Sequence, residues 1–448
     1  VCSSDLTATE RPQKELKGFE KTKLLAPGES EEIHIYIERK ELAVYVEAKA
    51  SYILEKGTYC FLIGNTSNKV ETAGEIHVDE DLIIKKCTNC LQIQECNVEQ
   101  LRFLSAKSGE KKAEHYDNSR SESCRSEAAL KNETAELKDF SIRQLAALCV
   151  GYGPGIPFAA FSDTKNPETI FDEQGNPLTV NDHSIGTNGY VSPAIPEKGI
   201  HSIFYKDGPA GVGTGAWPTE MLISCSFNKE LWKEFGNAVG GACEKQGVNV
   251  WLAPAVNLHR HPLCGRNFEY FSEDPYLTGM CAVQITKGVQ ETHNVCVCPK
   301  HFAVNEQETY RRGSAKKNYD AADSILTERA ARELYLKPFE MLVQEAGISF
   351  IMTSFNKING IFAGGNKDLC THILREEWNF EGVVVTDWGD MDIVVDGGDA
   401  VAAGNDIVMP GGPPVIGQIL EAYEEGRVTR TNLERSVSRL LHVLKKFS

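Results

Sequence analysis

Asp207, Arg266, Lys300, His301 and Asp387 differ in type but share a setting: each lies at or just beyond the end of a short apolar run. Ile203–Tyr205 runs into Lys206-Asp207-Gly208, and Val248–Leu252 leads to Asn257, His259 and Arg266. Val295–Cys298 precedes Lys300-His301, Ser349–Met352 precedes Ser354 and Asn356, and Val383–Val385 precedes Thr386-Asp387-Trp388. Any one of these would pass for an ordinary loop residue, and Asp387 alone could be a helix N-cap. Together they make a coherent set of two carboxylates, two cations, an imidazole and an indole. Such groups bond vicinal hydroxyls and cover C–H faces, which describes a sugar pocket. Asp387 is the sharpest candidate, because a carboxylate on a rigid strand end can attack an anomeric carbon and form a glycosyl ester. The neighbouring cations are expected to keep it ionised at neutral pH. Asp390 and Asp392, beyond the strand, are expected to face solvent or cap a helix.

The elements that must hold these groups alternate. Apolar runs of strand length are separated by helix-length amphipathic stretches such as Thr327–Glu345 and Lys367–Trp378, and Ile407–Met409 gives way to Pro410-Gly411. Over residues 141–448 this α/β pattern predicts a (β/α)8 barrel, whose functional groups sit at the carboxyl ends of the strands. Thr431-Asn432-Leu433-Glu434 reads as a capping box, and Leu433, Val437, Leu440, Leu441 and Leu444 fall on one face of a closing helix. Residues 1–96 read instead as a small all-β sandwich. Ile33, Ile35 and Ile37 alternate with His34 and Tyr36, followed by strand-like Leu42–Val46, Thr58–Ile63 and Ile76–Val78. Residues 97–140 read as a polar linker, since Ser105–Ala128 has almost no aliphatic content.

Composition removes several alternatives. The 448 residues carry 47 basic and 63 acidic side chains, a net charge of −16, with no basic stripe of the kind a nucleic acid needs. No apolar run approaches the ~18 residues of a membrane span. Val1–Glu10 has neither a basic nor an apolar signal region, and the chain does not open on Met, so an internal start is expected, while reduced thiols fit a cytoplasmic setting. The 14 cysteines include Cys87/Cys90 and Cys296/Cys298, but no second ligand pair stands at zinc spacing. Cys296 and Cys298 are expected as small core hydrophobes on one strand face. Gly208–Gly215 lacks the lysine ending of a phosphate loop. Neither metal nor organic cofactor is called for, since glycosyl transfer to water needs only carboxylates and positioned hydrogen bonds.

With these residues assembled, the sequence resembles glycoside hydrolase family 3, close to its bacterial β-glucosidases. The resemblance rests on Asp207–Gly211 (DGPAG), Asn257–Pro275 (NLHRHPLCGRNFEYFSEDP), Lys300–Glu308 (KHFAVNEQE), Met352–Gly360 (MTSFNKING), Val384–Trp388 (VVTDW) and Ala403–Gly411 (AGNDIVMPG). Arg11–Lys21, Leu25–Ser30 and Gly57–Asn65 resemble the family's fibronectin-type-III-like domain, here placed before the barrel as in a permuted subgroup. The resemblance implies a retaining, exo-acting β-glucosidase taking a small β-glucoside or oligosaccharide. Asp387 would be the nucleophile, Trp388 would line the sugar site, and Asp207, Arg266, Lys300 and His301 would hold its hydroxyls. Met352 and Phe355 would line the pocket.

The sequence also departs from that pattern. Gly213 stands where Arg is common, Phe355 where Tyr is frequent, and Glu306 where Asn is usual. The general acid, in the family a Glu on an upstream α/β sandwich domain, has no counterpart in this chain apart from Glu308 as a fallback inside the barrel. The chain is therefore expected to be the C-terminal part of a longer enzyme whose sandwich domain packs on the barrel. A carbohydrate-binding pseudoenzyme, a β-xylosidase or arabinosidase of the same family, and a barrel enzyme using Lys300 as a Schiff-base amine are the competing readings.

Overall fold

The computed structural model describes residues 2–4, 9–91, 93, 137–151, 166–171, 177–183, 190–191, 195, 198–213, 216–313, 319–389 and 395–447. Most of the linker read at 97–140 lies outside them, as do Asp390 and Asp392. The exception is 137–140, where Leu137 and Phe140 are buried and their carbonyls accept from Arg430 at 2.9 and 3.1 Å. That end of the joint is packed structure rather than linker.

Two three-stranded antiparallel sheets make up the N-terminal part. Val44–Val46, Ser51–Leu54 and Leu82–Lys86 form one, and Cys2–Ser4, Gly57–Gly64 and Val70–Val78 the other. Leu42, Leu54 and Tyr59 fill the space between them. Two expectations fail here. Residues 33–37 form no strand and are in no strand pairing of the described chain, and Tyr36 is 85% exposed. Alternation does not by itself supply a neighbouring strand. Conversely Cys2–Ser4, in an opening segment without strand-like alternation, pairs antiparallel with Tyr59–Phe61.

Strands and helices alternate from Phe204 onward. Phe204–Asp207 pairs in parallel with Val250–Leu252, which pairs with Cys296–Val297, and Phe350–Met352 pairs with Val383–Val385. Single parallel bridges (Ala255 to Lys300, Phe302 to Thr353, Val385 to Ile407, Val150 to Val408) join these pairs into one series. Alternate residues face opposite ways along a strand, and the two sets fall into two clusters. Tyr205, Leu252, Cys296, Cys298, Phe350, Met352, Val383, Val385 and Ile407 meet in one apolar interior, so both cysteines are core as expected. Trp251, Val297, Ile351 and Val384 face outward against helices. Among these, Lys229–Lys245 and Pro275–Gln290 lie backbone to backbone: a Cβ on Gly236 would come within 2.1 Å of the Ile285 carbonyl oxygen.

The helices follow their local signals. Thr327 caps the helical run that starts at Glu328, and the second expected helix forms over Asp368–Glu377. The closing helix, Arg430–Leu444, is capped two residues earlier than expected. Thr429 Oγ1 accepts from the Asn432 N–H at 3.2 Å, and Asn432 Oδ1 accepts from the Thr429 N–H at 2.9 Å. Both T-x-x-N and T-x-x-E can close the box, but starting at 429 leaves Glu434 to pair with Arg430 at 2.7 Å. Thr429→Ala should therefore cost about 1 kcal/mol in urea unfolding while Thr431→Ala costs little; the reverse ranking would restore the later start.

Candidate active site

Asp207 ends its strand, Asp387 stands two residues beyond Val385, and Lys300 and His301 follow Cys296–Val297. The parallel register brings these carboxyl ends to one rim. Asp387 lies at the base of the group, only 7% exposed. Its Oδ1 accepts the Trp388 N–H at 2.7 Å. Its Oδ2 has no hydrogen-bond partner among the described residues, with His301 Nε2 at 3.7 Å and Arg311 Nη1 at 3.8 Å. One oxygen is fixed and the other is buried and unpaired.

Burial pushes the Asp387 carboxyl above the usual aspartate range, while the guanidinium groups of Arg311 and Arg266, the Trp388 N–H and Lys300 offset only part of that rise. The cations expected to lower it are present, but desolvation outweighs them. This corrects the expected direction. Burial also drives His301 well below the ordinary imidazole range, with Arg266, Lys300 and Arg311 adding to the effect, so the ring is neutral.

Asp207 sits at the open side, its side chain 57% exposed, where its Oδ1 pairs with Lys300 Nζ. Desolvation opposes its ionisation, but the Lys300 charge and hydrogen bond and the Arg266 charge outweigh that and hold its pKa below the usual value. Arg266 reaches the same rim, with Nε on Glu269 and Nη1 3.8 Å from Glu308. Phe355 is buried beneath Arg311, whose guanidinium lies 4.7 Å from the ring centre. Met352 is buried in the strand interior, and Trp388 packs against that same cluster.

The structure therefore gathers Asp207, Arg266, Lys300, His301 and Asp387, with Trp388, Met352 and Phe355 around them. Sequence reasoning missed Arg311, the cation within reach of both Asp387 and Glu308. It lies three residues beyond the Lys300–Glu308 motif, a position that could have drawn attention. It also missed Glu220, which is fully buried, accepts the Ala255 N–H at 3.1 Å and is pushed well above the usual range by burial and by Glu269. Glu308 itself is bound by Arg311 at 3.2 Å and by Asn305 at 3.2 Å. Among the described residues no three His, Cys, Asp or Glu side chains come together to hold a metal, and no helix is long and apolar enough to cross a membrane.

A buried carboxylate with one unpaired oxygen thus stands among cations, an imidazole and an indole at the strand ends. The family model for the glycosyl hydrolase family 3 N-terminal domain matches residues 198–443, and the fibronectin type III-like domain model matches residues 3–67. The chain belongs to glycosyl hydrolase family 3. It is 33% identical to β-glucosidase A of Butyrivibrio fibrisolvens, over 96% of this chain and 53% of that protein. It is also 33% identical to a β-glucosidase of Ruminococcus albus, over 95% of this chain and 46% of that protein. A β-glucosidase structure from Paenibacillus barengoltzii superposes with a TM-score of 0.78 at 27% identity, covering 99% of this chain and 50% of that one. β-Glucosidase 3B of Thermotoga neapolitana, solved in complex with glucose, gives a TM-score of 0.58 at 34% identity, covering 71% and 42%. The chain thus spans about half the length of the curated relatives it matches.

Proposed function

We propose that this chain carries the glycone site and nucleophile of a retaining, exo-acting β-glucosidase, set on a (β/α)8 barrel whose parallel series closes on itself. The observation that carries the reading is Asp387, with Oδ1 held by the Trp388 N–H and Oδ2 open. A terminal β-glucosyl residue would sit with C1 over Oδ2. Asp207, Lys300 and Arg266 would hold its hydroxyls, neutral His301 would add a further contact, and Trp388 would cover a C–H face. Oδ2 attacks C1 as the glycosidic C1–O bond breaks, giving a glycosyl ester and an alcohol that takes up a proton. Water then attacks C1, its proton is removed, and Asp387 is released with the anomeric configuration retained.

The attack on C1 is provided for; among the described residues, no carboxyl beside Asp387 is free to protonate the leaving oxygen. Glu308 and Asp387 both lie by Arg311 Nη1, so their oxygens are at most about 7 Å apart, a bound that admits the ~5–5.5 Å of a retaining pair. Yet Glu308 Oε1 is already held by Arg311 and Asn305. We therefore place the proton donor in an α/β sandwich domain outside these 448 residues, packed on the rim. Without a donor, a poor leaving group should suffer most. The purified chain is expected to release β-glucose from 4-nitrophenyl β-glucoside and to act on methyl β-glucoside slower by a further ~10²–10⁴-fold than a complete relative does. Rates on both substrates equal to those of a complete relative would place the acid inside this chain, with Glu308 the first residue to test. Binding of glucose with no turnover of either substrate would favour a carbohydrate-binding role instead.

A further inference from the structure

Behind the rim lies a buried polar chain that the proposed reaction does not use. Glu306 is 1% exposed. Its Oε1 accepts from the Leu258 N–H at 3.0 Å and from Asn257 Nδ2 at 3.3 Å, while its Oε2 has no hydrogen-bond partner among the described residues. Asn257, also buried, wraps around His301: Nδ2 donates to the His301 carbonyl at 3.1 Å, and Oδ1 accepts the His301 backbone N–H at 2.9 Å. The same Oδ1 lies 3.3 Å from His301 Nδ1.

An amide has one oxygen and one NH2, so its two ends cannot both accept. Glu306 Oε1 and the His301 carbonyl both demand a donor and so claim Nδ2. That leaves Oδ1 facing the imidazole, and an acceptor facing Nδ1 places the ring proton on Nδ1. In a neutral ring Nε2 is then a bare lone pair, aimed into the site 3.7 Å from Asp387 Oδ2. It offers nothing to Asp387 Oδ2, which stays open for attack, and it can accept a hydroxyl proton from a bound sugar.

We propose that Glu306 is a positioning residue that acts through Asn257 to hold His301 in the Nδ1–H form, so that Nε2 accepts from the sugar and leaves the nucleophile unblocked. The inference rests on the glycosidase reading for its consequence, though not for its structural content. Burial pushes the Glu306 carboxyl up to about 7 despite the Leu258 N–H, the Asn257 amide and the Arg260 charge. The other titratable groups facing it are Tyr270 and Tyr335, both pushed up by burial, and His301 beyond Asn257. Glu306 therefore changes charge near neutrality, and its signal should reach the imidazole.

The test is ¹⁵N NMR of the full chain labelled at histidine, with His301 assigned by loss of its signals in His301→Asn. Wild type is expected to show a protonated Nδ1 and a bare Nε2, with shifts that move with a midpoint near pH 7. Glu306→Gln keeps an acceptor for Asn257 and should retain that tautomer while losing the pH step. Glu306→Ala removes one of the two acceptors on Nδ2 and leaves the amide held by the His301 backbone alone; the loosened amide should give a mixed ring, with kcat/KM on 4-nitrophenyl β-glucoside at least tenfold lower. An unchanged tautomer in Glu306→Ala overturns the proposal. So does a pH step identical in wild type and Glu306→Gln, which remains readable if the Ala variant does not fold. Should no variant or wild type turn over any glucoside while the tautomer responds as described, the positioning role stands and the glycosidase reading fails.

Discussion

Replacing Asp387 by Asn should abolish turnover of 4-nitrophenyl β-glucoside, a loss on the order of 10⁴–10⁶-fold, as expected when a nucleophile is removed from a set that acts as a unit. An amide keeps the shape but cannot form the glycosyl ester, and no second carboxylate shares the position of Oδ2. A 2-deoxy-2-fluoro-glucoside with a good leaving group should add one sugar mass to the peptide containing Asp387 in wild type and none in Asp387→Asn. Labelling on a different carboxylate would move the nucleophile and dissolve the mechanism.

The same substitution should raise stability. Burial holds the folded-state pKa of Asp387 above its unfolded value. The folded protein then binds more protons than the unfolded chain between those two values, so this group's contribution falls as pH rises through that window and is lowest above it. Asn carries no charge to bury. Asp387→Asn is thus expected to have a higher Tm than wild type at pH 7, with the gap closing at acid pH. A lower Tm at pH 7 would mean the surrounding cations repay the burial after all.

Arg332→Ala should destabilise the protein by about 3–5 kcal/mol in urea unfolding, among the largest effects open to a residue remote from the rim. Arg332 is 2% exposed and lies where the β-sandwich meets the helices. Its Nε donates to Glu328 at 2.8 Å, Nη1 and Nη2 donate to Glu377 at 2.7 and 3.0 Å, and Nη2 also donates to the Thr88 carbonyl at 2.9 Å. The two carboxylates in turn accept from sandwich N–H groups, Glu328 from Leu91 at 2.6 Å and Glu377 from Thr88 at 3.1 Å. Deleting the guanidinium leaves the buried Glu328 and half-buried Glu377 carboxylates with backbone N–H donors but no countercharge. Arg332→Lys should recover only part of the loss, because a point charge cannot serve both with a planar fork. A cost under about 1 kcal/mol would show that water enters freely and that the pair behaves as a surface one.

Much of the site was legible because each part is local. A strand end announces itself as an apolar run broken by polar residues, which is how Asp207, Lys300, His301 and Asp387 were found; Arg266 came from the loop beyond such a run. The helices at Glu328 and Asp368 followed from amphipathic spacing, and Cys296 and Cys298 share the interior because side chains two apart on a strand share a face. The misses are also physical. Ile33, Ile35 and Ile37 have the spacing of a paired strand, but pairing needs a partner that spacing cannot name. The T-x-x-E box at Thr431 was valid locally and lost to Thr429 because of where the chain enters the helix.

By itself the sequence named most of the groups that meet at this rim, Arg311 excepted, since chemical type and strand-end position are written residue by residue. Only the tertiary structure decided how they act: that Lys300 holds Asp207, that Arg311 reaches Asp387, and that Glu306 stands behind Asn257. It decided the sign of the Asp387 shift as well. Charges can be counted along a chain, but desolvation is set by everything packed around a carboxylate, and that is settled only when distant segments meet.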